Sequence, residues 1–211
     1  MIKLDLRKEF KKLYEPSAKK VEIIEIPRFQ FAMLDGKTEP GHGPSTSQVF
    51  QEAVTAMYGI SYTLKFASKL RQVDPIDYSV MALEGLWWGQ TEAFDANNPQ
   101  QEWFFRLMIM QPEHITPEMF QAALAQLHKK KDSPLLDSLR LESFYEGLSV
   151  QTMHLGPYAD EPRTLAAMKA FASQAGYELR AKHHEIYLGD PRKAQQDKLK
   201  TVLRYPVDKK V

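Results

Sequence analysis

Leu148-Ser149-Val150-Gln151-Thr152-Met153-His154-Leu155, followed by Gly156-Pro157-Tyr158 and then Glu161-Pro162, decides the fold. The first eight residues carry β-branched and apolar side chains and read as a strand. Gly156-Pro157 ends it, and Pro162 sits where a helix running to about Ala175 can start. Two further strands follow, His183 to Leu188 and Thr201 to Val207, divided by a polar, lysine-rich connector. Strand, helix, strand, strand is an order the chain has already used once.

The earlier copy begins at Val21. Residues 21–34 read as a strand interrupted at Pro27, where a proline points to a bulge or an edge position. Asp35-Gly36-Lys37 ends it, and Pro40-Gly41-His42-Gly43-Pro44 is a loop by composition. Ser45, Thr46 or Ser47 can cap a helix that runs to about Leu70, with Phe50, Val54, Met57 and Tyr58 at helical spacing. Strands at Tyr78–Trp88 and Glu102–Met110 flank the turn-rich Asp95-Ala96-Asn97-Asn98-Pro99. Between the copies, Thr116 and Pro117 open a helix over roughly 118–130, with Lys129 to Lys131 at its end, and a second short helix is expected from Pro134 to Phe144.

Residues match as well as elements. Met33-Leu34-Asp35-Gly36 lines up with Met153-His154-Leu155-Gly156, Glu84-Gly85-Leu86-Trp87 with Glu185-Ile186-Tyr187-Leu188, and Phe105-Arg106 with Leu203-Arg204. Their shared order makes duplication the better reading. The expected fold is α+β: a duplicated β-α-β-β module with antiparallel sheet, helices on one side and a central ligand cleft. Residues 1–20 are read as a lysine-rich, mobile or loosely docked arm. The halves span about 21–112 and 146–208, joined by a helical connector of about 113–145.

Composition narrows the chemistry. The 28 basic and 27 acidic residues nearly cancel, which does not suggest a nucleic-acid partner. No cysteine is present, so disulfides, thiolate metal sites and cysteine nucleophiles are excluded. The charged N-terminus is no signal peptide, and no apolar run approaches the ~20 residues of a membrane helix. A cytoplasmic protein is the default expectation.

At this point the residues resemble a known family. The duplication, Leu155-Gly156-Pro157-Tyr158 with Glu161-Pro162, and His184-Glu185-Ile186-Tyr187-Leu188-Gly189-Asp190-Pro191-Arg192 are similar to the GyrI-like small-molecule-binding superfamily over roughly residues 20 to 207. One stand-alone branch looks closer still, through Trp87-Trp88 after Glu84-Gly85-Leu86 and through Tyr145-Glu146-Gly147-Leu148-Ser149-Val150-Gln151. Some members of that branch hydrolyse cyclopropane-bearing, DNA-alkylating natural products. The resemblance implies a small organic, aromatic ligand and no cofactor. The first 20 residues are too short for the DNA-binding helices that regulators of the superfamily carry.

Within that frame Glu185 is the first candidate for chemistry. The resemblance places a glutamate at this strand position in the ligand cleft, where aromatic rings would strip its hydration and raise its pKa. Strand parity puts Glu185 on one face with His183 and Tyr187, while His184 and Ile186 point the other way. Glu146, just before Gly147, is expected to lean over the same cleft as a second carboxylate, equally readable as a turn residue. Glu84 is read as the repeat partner of Glu185. Trp87, Trp88 and Trp103 supply stacking walls, although neighbours on a strand cannot both line one face. Tyr145, Tyr158 and Tyr187 offer phenolic donors. His183-His184-Glu185 lacks metal-ligand spacing, and no metal is expected. Three functions stay open: hydrolysis of a strained electrophile, sequestration of a cationic aromatic compound, and interaction with gyrase or another protein.

Overall fold

The computed structural model describes residues 1–89, 102–130, 133–180, 182–189 and 195–210. The turn at 95–99, Lys131 and the Asp190-Pro191-Arg192 segment lie outside the described residues.

Six strands form a closed antiparallel ring. In chain order they are β2 (Glu22–Lys37), β4 (Leu83–Trp88), β5 (Phe104–Gln111), β6 (Arg140–Leu155), β8 (His183–Tyr187) and β9 (Lys200–Lys209). Around the ring the order is β6-β2-β5-β4-β8-β9, and β9 pairs back onto β6. A short strand β7 (Tyr177–Leu179) adds to β9, and β1 (Ile2–Leu4) pairs in parallel with β3 (Ile76–Tyr78). The halves meet at two seams, along β2–β6 and where β4 and β8 run antiparallel with Gly85 opposite Glu185 and Trp87 opposite His183.

Two long helices lie outside the ring, because a six-stranded barrel has room only for side chains. Helix α3 (Gln48–Leu70) is capped by Ser47, whose hydroxyl accepts from the Phe50 amide at 3.0 Å. It buries Phe50, Ala53, Met57, Ile60 and Leu64, one stripe at helical spacing. Helix α6 (Glu161–Gln174) buries Met168 and Ala172 beside Val150, Leu203 and Val207. The connector holds α4 (Pro117–His128), capped by Thr116, and α5 (Pro134–Asp137). None of the described helices is long and apolar enough to cross a membrane.

Three local expectations are corrected. The helix expected from Pro134 to Phe144 stops at Asp137, and β6 starts at Arg140. Residues 140–146 pair instead with β2, Phe144 opposite Phe29 and Glu142 opposite Phe31, and their packing outweighs helical propensity. The strand expected over 78–88 divides into β3 and β4. The third concerns residues 1–20, which are docked rather than loose. Helices α1 (Leu6–Glu9) and α2 (Lys11–Tyr14) bury Leu6, Leu13 and Tyr14, and Phe10 meets Phe29 edge-on at 4.7 Å. Apolar residues at 6, 10, 13 and 14 make a helical stripe, and the lysines between them face solvent. At Pro27, which has no N–H to give the ladder, β2 has only β6 beside it, in keeping with an edge position.

Candidate functional site

Alternation along β8 creates two polar clusters on opposite faces of the sheet. The inner one fills the barrel. His184 Nε2 lies 3.0 Å from a Glu84 carboxylate oxygen, and its Nδ1 donates to Glu146 at 3.0 Å. Arg204 of β9 reaches the other oxygen of Glu146 at 3.2 Å and also bonds Gln151 and the Leu13 carbonyl. The Tyr14 hydroxyl donates to Glu84 at 2.6 Å. Burial opposes a charge on His184, but Glu146 and Glu84 outweigh it and lift the imidazole to about 9. Burial also opposes the charge on Glu146, and His184 and Arg204 outweigh it and hold this carboxyl below its ordinary range. Two acids face two bases here, and the residual cavity of about 10 Å³ holds about one water.

The outer cluster lies under the first turn of α6. His183 Nε2 sits 2.9 Å from Glu185 Oε1, and only 11% of the Glu185 side chain is exposed. The Tyr187 hydroxyl accepts from Trp87 Nε1 at 2.8 Å and donates to Glu185. Burial first, then the charge of Glu185, holds that phenol protonated well beyond its ordinary range. Trp87 is buried against Phe50 of α3 and Phe105, with ring centroids at 5.3 and 5.8 Å. Gly85 is required here, since a Cβ would meet Trp87 Nε1 at 2.9 Å and the Tyr187 hydroxyl at 3.1 Å. Trp103 meets Trp87 edge-on at 6.1 Å, and Tyr158 meets Tyr187 edge-on at 6.0 Å. At the rim, Tyr158 is 37% exposed.

Glu161, the first residue of α6, completes this cluster and was not among the sequence candidates. It is buried beside Glu185, and Thr201 donates to it. Burial and the charge of Glu185 push its carboxyl up to about 10, so it keeps a proton at neutral pH. The proton turns a repulsion between neighbouring carboxylates into a hydrogen bond from Glu161 to Glu185. An acid in a first helical turn reads in sequence as a partner of the helix dipole, which concealed it. No local signal could have found it, because its partners Glu185 and Thr201 lie on later strands, β8 and β9.

The structure thus brings together Glu185, His183, Tyr187, Trp87, Trp103 and Tyr158. It separates the other three candidates from them. Glu146 is in the barrel interior and cannot share a water with Glu185, a correction to the expected cleft position; its charge is used up by His184 and Arg204. Trp88 faces away from Trp87, stacked on Phe104 at 6.0 Å with the Lys182 ammonium 3.3 Å from its ring centroid. Tyr145 is exposed and donates to Glu25 at 2.5 Å. The repeat alignment also shifts by one residue: Glu84 shares the inner face with His184, while Gly85 stands opposite Glu185. Glu161, His183 and Glu185 each offer one ligand atom, all within 4.8 Å of one another, so the expectation of no metal meets a set of side chains with suitable spacing.

The site thus lies on a ring of two half-modules joined at β4–β8 and β2–β6. The family model of the GyrI-like small molecule binding domain matches residues 19–208. The chain belongs to this family. Among solved structures, an uncharacterised conserved protein from Listeria innocua is 37% identical to this GyrI-like chain, with a TM-score of 0.87 over 97% of this chain and 100% of that one. Two structures described as hydrolases from the same organism are 37% and 36% identical, with TM-scores of 0.85 and 0.81. They cover 98% and 97% of this chain and the whole of their own. No curated protein matches this GyrI-like chain.

Proposed function

We propose that this GyrI-like protein hydrolyses strained, cyclopropane-bearing electrophiles, with Glu185 as the general base. The observation that carries the reading is the Glu185 carboxylate itself, screened from water among Trp87, Tyr187 and His183. A carboxylate so enclosed can hold a single water in place and take its proton as the water attacks. Both Listeria innocua neighbours described as hydrolases span the same fold from end to end, which favours turnover over binding alone.

In the reaction Glu185 takes a proton from water while the water oxygen bonds to a cyclopropane carbon. The ring C–C bond breaks, and its electron pair moves through the conjugated system to a carbonyl oxygen, which becomes a phenolate. Tyr158 at the rim donates a hydrogen bond to that oxygen. Trp87 is too deeply buried, and too steeply inclined to Trp103, for a flat ligand to stack between them. The half-buried Trp103 supplies the accessible wall. Release of ring strain drives the step.

A second reading, sequestration of a cationic aromatic compound, draws on the same buried carboxylate and aromatic lining. Chromatography of a cyclopropane-bearing alkylator incubated with wild type and with Glu185→Gln separates the two. Hydrolysis gives a water-added, ring-opened product from wild type alone. Binding of the compound by both proteins with product from neither removes the hydrolase reading.

A further inference from the structure

The cyclopropane reaction leaves Glu161 without a task. In such a compound the attacked carbon and the oxygen that receives the electrons lie at opposite ends of a conjugated ring system. Glu161 is too close to Glu185 to serve that distant oxygen, since their facing oxygens lie within 4.8 Å of each other. Two adjacent buried carboxyls suit another geometry, in which the attacked carbon and the oxygen that leaves it are bonded to each other.

We propose that Glu161 and Glu185 form an acid–base pair that adds water across oxiranes, giving vicinal diols. The proposal rests on the reading of Glu185 as a base and extends it to a second substrate class. Glu185 removes a proton from water, and the water oxygen attacks one oxirane carbon. The C–O bond to that carbon breaks, its electron pair goes to the ring oxygen, and Glu161 delivers its proton there. Glu185 now holds a proton that Glu161 has lost, and transfer between the neighbouring carboxyls restores the starting state. Water and epoxide are consumed, a diol is released, and no oxidant or reductant is needed.

Four observations support the assignment. Glu161 Oε1 is buried and has no hydrogen-bond partner among the described residues, so an acceptor or donor site is left over in the cluster. The Tyr187 phenol, also bonded to Glu185, is far too weak an acid to give up its proton at neutral pH. Glu161 and Glu185 face each other from α6 and β8, both buried, with ligand oxygens within 4.8 Å of each other, so an incoming oxirane would meet both carboxyls at once. Finally, like-charged neighbours that share one proton divide acid and base roles between them, which is the arrangement water addition requires.

The test incubates the full chain with styrene oxide in parallel with a cyclopropane-bearing alkylator, and follows diol and ring-opened product by chromatography. Wild type is expected to form phenylethanediol above the buffer rate, and both Glu161→Gln and Glu185→Gln to lose about 100-fold or more of that rate. Glu161→Asp, which keeps an ionisable proton, is expected to recover part of it. Infrared difference spectra at pH 8 are expected to show a protonated-carboxyl stretch that Glu161→Gln lacks, a readout independent of turnover. Ring opening of the alkylator without any diol would overturn this proposal and leave the hydrolase reading standing. Diol without ring opening would do the reverse. Glu161→Gln and Glu161→Asp both matching wild type on the epoxide, or absence of the infrared band, would remove Glu161 as the acid.

Discussion

The inner and outer faces of β8 hold polar clusters of the same residue types, yet they are built to opposite ends. Inside the barrel, Glu84 and Glu146 meet His184 and Arg204, each acid has a base within hydrogen-bond distance, and Tyr14 and Gln151 take up what remains. Outside, Glu161 and Glu185 have His183 beside them but no arginine or lysine bonded to either among the described contacts, and they are left to share a proton. A buried charge that is fully matched costs little more once formed and makes removal of any member expensive. A buried acid pair that is under-matched stores reactivity instead. The contrast separates structure from chemistry across the thickness of one sheet.

Four measurements break or sharpen that contrast. The largest effect is expected from Glu185→Gln, which removes the base and lowers turnover of a strained electrophile by about 100- to 10,000-fold. Its denaturant midpoint should stay near that of wild type, because glutamine keeps a carbonyl oxygen to accept from Tyr187 or Glu161. A large loss of stability with turnover retained would reverse the roles assigned to the two faces. Next comes Glu146→Gln, expected to cost about 3–5 kcal/mol of stability in equilibrium unfolding, since it strands His184 and Arg204 inside the barrel. In the folded protein its turnover should be unchanged.

The third measurement is stability against pH. His184 has its pKa raised to about 9 on folding, above the ~6.5 of a free imidazole, so its contribution is complete below the lower value and is lost as pH rises through the higher. Thermal midpoints should therefore fall across that alkaline window. Glu161, raised to about 10, loses stability over the same range, so the inner network is read in Glu161→Gln, where flat midpoints from pH 7 to about 10 would show His184 uncharged. The smallest effect is expected from Tyr14→Phe, which removes one hydrogen bond to a charged acceptor and costs about 1.5–3 kcal/mol. A cost near zero would mean that the N-terminal segment is held by its apolar contacts alone.

The split between the faces was legible in the sequence because parity is robust in a short, regular strand. Alternation alone separates His183, Glu185 and Tyr187 from His184 and Ile186, and the structure places them so. Glu146 could not be placed that way. It stands between Tyr145 and Gly147, whose φ is +76°, and opposite Pro27, so the local backbone breaks the alternation that parity depends on. Glu84 was misplaced for a different reason: aligning the repeats on matching glutamates ignored that the halves pair with Gly85, not Glu84, facing Glu185. Closure of the sheet into a ring was not legible either. It depends on β6 and β9 meeting at a distance, from Ser149 opposite Pro206 to Leu155 opposite Lys200, and no local pattern encodes a pairing of that kind.

The bond from Arg204 to the carbonyl of Leu13 spans 191 positions of sequence. Synthesis makes Leu13 early and β9 last among the strands of the ring. A nascent chain that has not yet released β9 therefore holds Glu146 with one cationic partner in place of two, and an open edge on β6. Commitment to the native state is deferred until the final strand emerges, and ribosome-bound intermediates should be the stage at which this protein most needs a chaperone.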